Sequence, residues 1–144
     1  MRVIAALILG LGLAANGLAM LAAPAGWYAA MPGVIQTGPF NAHFVRDIGA
    51  AYLVCGAALT WFATDRAVRP AAFAAAAFLA LHAFVHLWDF AAGREHAHQL
   101  LADLPTVFVP PLLAIWLVWP SSLRGALATK EKNDDQMVSA ALDR

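Results

Sequence analysis

The 144-residue chain has few charged residues, no net charge and only one cysteine. Asp, Glu, Lys and Arg make up 12% of the residues, against about a quarter in soluble domains. Because the charges balance, the chain lacks the basic surface that nucleic-acid binding requires, and we expect no nucleic-acid partner. The single Cys55 excludes a disulfide framework. Hydrophobic residues account for 62% of the chain, which predicts a protein embedded in a lipid bilayer.

Four apolar segments are long enough to span a membrane as helices. The sequence places them in a transmembrane domain at residues 1–125, which a polar tail at residues 126–144 follows. Each has roughly the 20 residues that a hydrocarbon core of about 30 Å requires. Backbone groups in lipid must be satisfied internally, so an all-α polytopic four-helix bundle is predicted. The spans are predicted at residues 3–23, 43–63, 70–92 and 104–123.

The first apolar segment has an alternative interpretation as a cleaved signal peptide. It has a positive Arg2, an apolar run and a possible cleavage triplet at Ala23-Pro24-Ala25. The apolar run is about 21 residues long, however, whereas the apolar region of a signal peptide usually has about 7–15. We therefore expect this segment to be retained as the first span.

Positive residues predict the orientation of the spans, because loops rich in Lys and Arg stay in the cytoplasm. With four spans, Arg46 and Arg94 fall on one side, and the other Lys and Arg residues fall on the opposite side. Both termini are therefore predicted to be cytoplasmic, in a bacterial plasma (inner) membrane, with loops 24–42 and 93–103 facing outward. The residues on the cytoplasmic side are Arg2, Arg66, Arg69, Arg124, Lys130, Lys132 and Arg144.

Ionisable side chains lie in the predicted outer half of the third span. The stretch HAFVHLWDF places His82, His86 and Asp89 at spacings of i, i+4 and i+7, which puts them on one face of a helix. Ionisable groups inside a span are expensive, and they indicate a functional site by default. All five histidines of the chain fall in the predicted outer half or outside the membrane on that side.

The second span contributes a matching face from the same side of the membrane. Asn41 is predicted to cap this helix, because its side chain accepts hydrogen bonds from free backbone N–H groups. His43 and Asp47 follow at i, i+4 spacing, and Arg46 lies beside them. We expect the two faces to meet in an outward-facing ligand pocket between the second and third helices. Its predicted members are Asn41, His43, Arg46, Asp47, His82, His86 and Asp89.

Several kinds of ligand fit such a pocket. Histidine and carboxylate groups bind zinc and non-haem iron, and imidazole also binds copper, so a metal site at His82, His86, Asp89 and His43 is one interpretation. A metal-free pocket for a lipid, a quinone or another small apolar ligand is a second interpretation. In that pocket a His/Asp pair can transfer protons, as in a membrane isomerase. Haem bound between His43 and His86 is a third interpretation.

A non-catalytic role is the contrasting interpretation of the same residues. The chain would then be an accessory or structural subunit of a larger membrane complex, or a homo-oligomer, with the polar side chains as interhelical hydrogen bonds. Asn16 is predicted to bond across to another helix. Gly49 and Gly56 are predicted to let the second helix pack closely against a neighbour. Asp103, just before the fourth predicted span, is predicted to cap that helix.

The segment NAHFVRDIGAAYL that leads into the second span resembles small bacterial membrane proteins. Together with four short spans and a long first outer loop, it makes most of residues 1–125 similar to the DoxX-like group of four-helix proteins. The resemblance implies the fold and the bacterial membrane. It carries no catalytic residue over to this chain.

Overall fold

The computed structural model describes residues 1–94 and 96–120, and within these residues the chain forms helices and no strands. The predicted tail at 126–144 and the end of the fourth predicted span lie outside the described residues. Two 3-10 turns, Val34–Thr37 and Arg66–Val68, and one π-helical turn, Leu104–Phe108, connect the α-helices. The α-helices are α1 (Arg2–Ala22), α2 (Pro24–Ala30), α3 (Ala42–Thr64), α4 (Arg69–Ala91), α5 (Ala97–Asp103) and α6 (Val109–Val118).

Four helical segments are long and apolar enough to cross a membrane, which agrees with the predicted all-α architecture. They are Arg2–Ala22, Ala42–Thr64, Arg66–Ala91 and Ala97–Val118. Large apolar side chains such as Ile8, Val54 and Leu112 point outward from the bundle and are exposed. This surface is compatible with a multi-pass membrane protein.

The fourth helical segment begins earlier than predicted. α5 continues through the π-helical turn into α6 without a break, so residues 97–103, expected in an outer loop, are helical. The prediction that Asp103 caps the fourth helix is wrong, because Asp103 has helical dihedral angles and its side chain makes no capping bond. The missing N–H of Pro105 is accommodated within the π-helical turn, where the prediction had expected a helix start.

Local sequence determines the ends of α3 and α4. The Asn41 side chain accepts hydrogen bonds from the backbone N–H groups of His43 (3.0 Å) and Phe44 (3.2 Å), which confirms the predicted cap of α3. α4 carries a proline in its first turn, where no helical N–H bond is lost. It ends just before Gly93, whose φ of 71° is left-handed and favours glycine.

The most extensive helix contact joins α1 and α3 through glycines. A methyl group on Gly56 would lie 2.5 Å from the carbonyl oxygen of Gly10, and one on Gly17 would lie 2.5 Å from that of Gly49. The two backbones therefore touch, which confirms the close packing predicted at Gly49 and Gly56. Deeper in the bundle, Leu59 and other apolar side chains of α3 are fully buried.

Contacts between helix ends show how the helices are ordered. Arg2 Nη2 donates to the carbonyl oxygen of Trp116 at 2.9 Å, so α1 begins where α6 ends. Arg46 Nε donates to the carbonyl oxygen of Leu21 at 3.4 Å, so α1 ends where α3 begins. We refer to the opposite end from Arg2, formed by residues 22–47, 82–94 and 96–103, as the histidine end, because these ranges contain all five histidines.

Candidate functional site

A buried histidine–carboxylate pair joins α4 to α5 at the histidine end. His86 Nδ1 lies 2.9 Å from Asp103 Oδ2, and the two side chains are 18% and 8% exposed. Gln99 Nε2 donates to the other carboxylate oxygen, Asp103 Oδ1, at 3.2 Å. Both oxygens of Asp103 are thus engaged, which is how a buried carboxylate is tolerated in a low-dielectric interior.

The connection between α4 and α5 brings this pair together. Gly93 lets the chain reverse after α4, and Arg94 Nη1 closes the turn by donating to Asp89 Oδ1 at 2.6 Å. α5 then runs back along α4. Since Gln99 and Asp103 are four residues apart, they share the face of α5 that meets His86.

A row of aromatic rings extends from His86 toward the middle of the bundle. The His82 and His86 rings meet edge to face with centroids 5.0 Å apart. His82 also stacks on Phe78, at 6.3 Å and 13° between ring planes, and meets the edge of Tyr52 of α3 at 5.8 Å. The predicted neighbours His82 and His86 are therefore in contact, and the row links α4 to both α3 and α5.

An open cavity of about 430 Å³ lies at the histidine end, between the α2–α3 connection and the α4–α5 connection. Gly33 in the first connection has a φ of 83°, and a methyl group on it would lie 1.7 Å from Gln99 Nε2. The loop therefore packs directly on the Gln99 amide, which is both a wall of the cavity and a partner of Asp103. The lining residues are Gly33, Gln36, Thr37, Asp89, Arg94, His96, His98 and Gln99.

The predicted residues at the start of α3 form a separate group. His43 Nε2 and Asp47 Oδ2 lie 3.3 Å apart, with side chains 87% and 62% exposed. Asn41 is occupied as the helix cap, and Arg46 bonds to the end of α1. None of these four residues lines the cavity.

The seven predicted pocket residues thus fall into three groups rather than one. Asp89 lines the cavity, His82 and His86 form the buried row, and the rest lie at the start of α3. Gln99 and Asp103 were missed as site residues. Their i, i+4 spacing in AHQLLAD is the signal that could have found them, since it matches HAFVH on the preceding helix.

No three His, Cys, Asp or Glu side chains within residues 1–94 and 96–120 come together as a set that could hold a metal ion. The four ligands predicted from the sequence are thus not assembled in this geometry. The pair predicted for haem is also engaged elsewhere, since His43 contacts Asp47 and His86 contacts Asp103. The arrangement offers instead a histidine–carboxylate pair, which can hold or transfer a proton.

No family model, no curated protein and no solved structure matches this chain. The functional inference below therefore starts from the geometry of the cavity and of the buried pair.

Proposed function

We propose that the protein is a multi-pass membrane protein that binds a small polar ligand in the cavity at the histidine end. The observation that carries the proposal is a cavity of about 430 Å³ whose wall includes Gln99, the partner of the buried Asp103–His86 pair. Ligand pockets commonly have volumes of about 300–1,000 Å³, so the cavity has a suitable size. Its placement at the end of the bundle leaves it open to water.

The lining favours a polar ligand over the small apolar one considered from the sequence. Asp89 and Arg94 supply one charge of each sign, and Gln36, Thr37 and Gln99 supply neutral donors and acceptors. No large apolar side chain is among the described lining residues. A zwitterion or a small anion with hydroxyl or amide groups suits this combination of charges and hydrogen-bonding groups.

Titration of the purified protein tests this proposal. Glycine, acetate, glycerol and Zn²⁺ serve as zwitterionic, anionic, neutral and metal probes, and binding is measured by calorimetry in mild detergent. We expect saturable binding of glycine or acetate that Arg94→Gln abolishes. The matched variant Arg66→Gln, at the other end of the bundle, should bind as the unmodified protein does.

Two outcomes would overturn the proposal. If no probe shows saturable binding, the protein has no such ligand site. If Arg94→Gln binds as well as the unmodified protein, the ligand does not bind in this cavity. Binding of about one zinc ion per chain that His86→Ala abolishes would support the metal interpretation instead, since histidine is a usual zinc ligand.

An accessory role is a second candidate, because several polar side chains connect different helices. Trp27 Nε1 of α2 donates to Asn16 Oδ1 of α1 at 2.9 Å, and His86 and Asp103 join α4 to α5. If these bonds are purely structural, substitutions at Asp103 will lower stability while no probe binds. A homo-oligomer or a larger membrane complex would then be the working assembly.

Orientation and compartment belong to the same proposal. The excess of Lys and Arg on one side supports cytoplasmic termini, with the histidine end facing outward. The resemblance to the DoxX-like group supports a bacterial plasma membrane. In this arrangement the cavity would take its ligand from the periplasm or the cell exterior.

A further inference from the structure

Among the described residues, the histidine and acidic side chains in the bundle interior lie in one half of the bundle. In α4, residues 70–81 contain no acidic, basic or histidine side chain, and the same holds for residues 48–64 of α3. The histidine half, by contrast, holds His82, His86 and Asp103 in its interior. The described histidine and acidic side chains therefore approach the middle of the bundle from the histidine end.

The groups in this half form a continuous row. Asp103 bonds to His86 at 2.9 Å, and the His86 ring meets the His82 ring at a centroid distance of 5.0 Å. With a rise of about 1.5 Å per residue, His86 lies about 8 Å and His82 about 14 Å from the end of α4 at Ala91. The two rings meet edge to face, so a ring rotation is needed before a nitrogen of His86 can hand a proton to a nitrogen of His82.

We infer that Asp103, His86 and His82 form a one-sided proton relay between water at the histidine end and the middle of the membrane. A proton from water adds to the Asp103–His86 pair, and His86 takes it on one ring nitrogen while it releases another from the opposite nitrogen. A lone pair of His82 accepts the released proton, which leaves His86 neutral again. The relay goes beyond ligand binding and does not depend on an occupied cavity.

Few described groups lie close to His82, so its protonation state reports directly on the relay. Tyr52 faces it from α3, and Phe78 and His86 lie on its own helix. Asp103 of α5 bonds to His86, the next group in the row. Asp103 is the one acidic side chain among these described neighbours. The relay thus predicts that the charge of His82 depends on an acid located on a different helix.

The test uses full-length protein with ¹⁵N-labelled histidine in phosphatidylcholine vesicles. The pH is changed on one face at a time, across about pH 5 to 8, where histidine titrates. His43, whose side chain is 87% exposed at the histidine end, reports which face that end occupies. The spectrum of His82→Gln identifies the His82 signal.

We expect the ¹⁵N signals of His82 and His43 to respond to the pH of the same face. A His82 signal that follows the opposite face, or that stays in one protonation state throughout, would overturn the relay. The pH response is measured on the unmodified protein, and His82→Gln serves only to assign the His82 signal.

Variants then test the route. In folded Asp103→Asn and His86→Phe proteins, we expect the ¹⁵N signal of His82 to stop responding to the pH on the membrane face at the histidine end. Asp65→Asn removes a carboxylate from the other end of the bundle and should leave the response unchanged. An unchanged response in both Asp103→Asn and His86→Phe would mean that protons reach His82 by another path, and the relay would be rejected.

Discussion

At the scale of single residues, Asp103 organises the histidine end, because its two oxygens hold side chains from α4 and α5. We expect Asp103→Ala to lower the free energy of unfolding by about 1–3 kcal/mol, since buried polar partners lose their acceptor. The measurement is reversible unfolding in mixed detergent micelles, followed by circular dichroism. Asp89→Ala is the matched control, because Asp89 and its partner Arg94 are 32% and 63% exposed.

The control variant should lose less than about 1 kcal/mol, as exposed ion pairs usually contribute little. Equal losses in Asp103→Ala and Asp89→Ala would contradict the special role of the buried pair. A loss confined to Asp89→Ala would instead place the main stabilising contact in the turn between α4 and α5.

Gly33 is a second residue that shapes the site, because it has no side chain and therefore lets the loop pack on the Gln99 amide. Alanine at this position must adopt a left-handed φ, at a cost of about 1–2 kcal/mol, and its methyl group would displace the Gln99 amide. We expect Gly33→Ala to weaken binding in the cavity as well as stability, as measured by calorimetry and unfolding. Gly26→Ala, within α2, should preserve both properties, because a methyl group there would meet Ala23 Cβ only at an ordinary contact distance of 4.0 Å.

Single residues also show what the sequence can and cannot predict. The cap at Asn41 was predictable because its hydrogen bonds reach only two and three residues along the chain. The partner of His86 was not, because residue 103 lies seventeen positions away and meets His86 only when α5 folds back along α4. Aspartate occurs both as a helix cap and in buried ion pairs, so the residue type of Asp103 alone does not show which of the two roles it has.

At the scale of elements, the contact between α1 and α3 provides the sharpest prediction. We expect Gly10→Ala to destabilise the bundle by about 1–3 kcal/mol, the usual effect of overpacking a close interface. Its methyl group would lie 2.4 Å from Thr60 Oγ1 and 2.8 Å from the backbone nitrogen of the same residue. Thermal unfolding in detergent measures the effect.

Gly12→Ala is the control on the same helix, because a methyl group there meets no atom within 4 Å. It should be neutral or stabilising by up to about 1 kcal/mol, since alanine favours helix more than glycine does. A similar loss of stability in Gly10→Ala and Gly12→Ala would show that helix propensity, and not close packing, controls the effect.

The fourth helical segment illustrates the limit of prediction at this scale. Proline at position 105 and aspartate at position 103 are both typical of a helix start, so the sequence favoured a start at residue 104. The π-helical turn Leu104–Phe108 instead lets the helix continue past the proline. Such turns are rare and occur mostly as single turns inside α-helices, so the same residues more often mark a helix start.

At the scale of the whole molecule, the orientation in the membrane remains a prediction. It can be measured with single cysteines placed in a Cys55→Ser background and a reagent that does not cross membranes. We expect Ala92→Cys to react on intact cells and Ala67→Cys to react only after the membrane is opened. Both positions are exposed connections at opposite ends of the bundle, so they differ chiefly in the side that they occupy.

The reverse labelling pattern would place the histidine end in the cytoplasm. The row of His86 and His82 would then face the other compartment, although its geometry would be unchanged. The four helices were predictable from composition, because apolar length alone specifies a candidate span. The cavity was not, because it forms where two connections from different parts of the chain meet.

The buried Asp103–His86 pair also has a consequence for how the chain is made. An aspartate in a membrane helix costs about 2.5–3.5 kcal/mol at the centre of the bilayer, as measured by insertion from the translocon, and less toward either end. The partner that offsets this cost lies on α4, which leaves the ribosome first. The last two helices are therefore expected to enter the membrane most readily as one hairpin, already joined by that hydrogen bond.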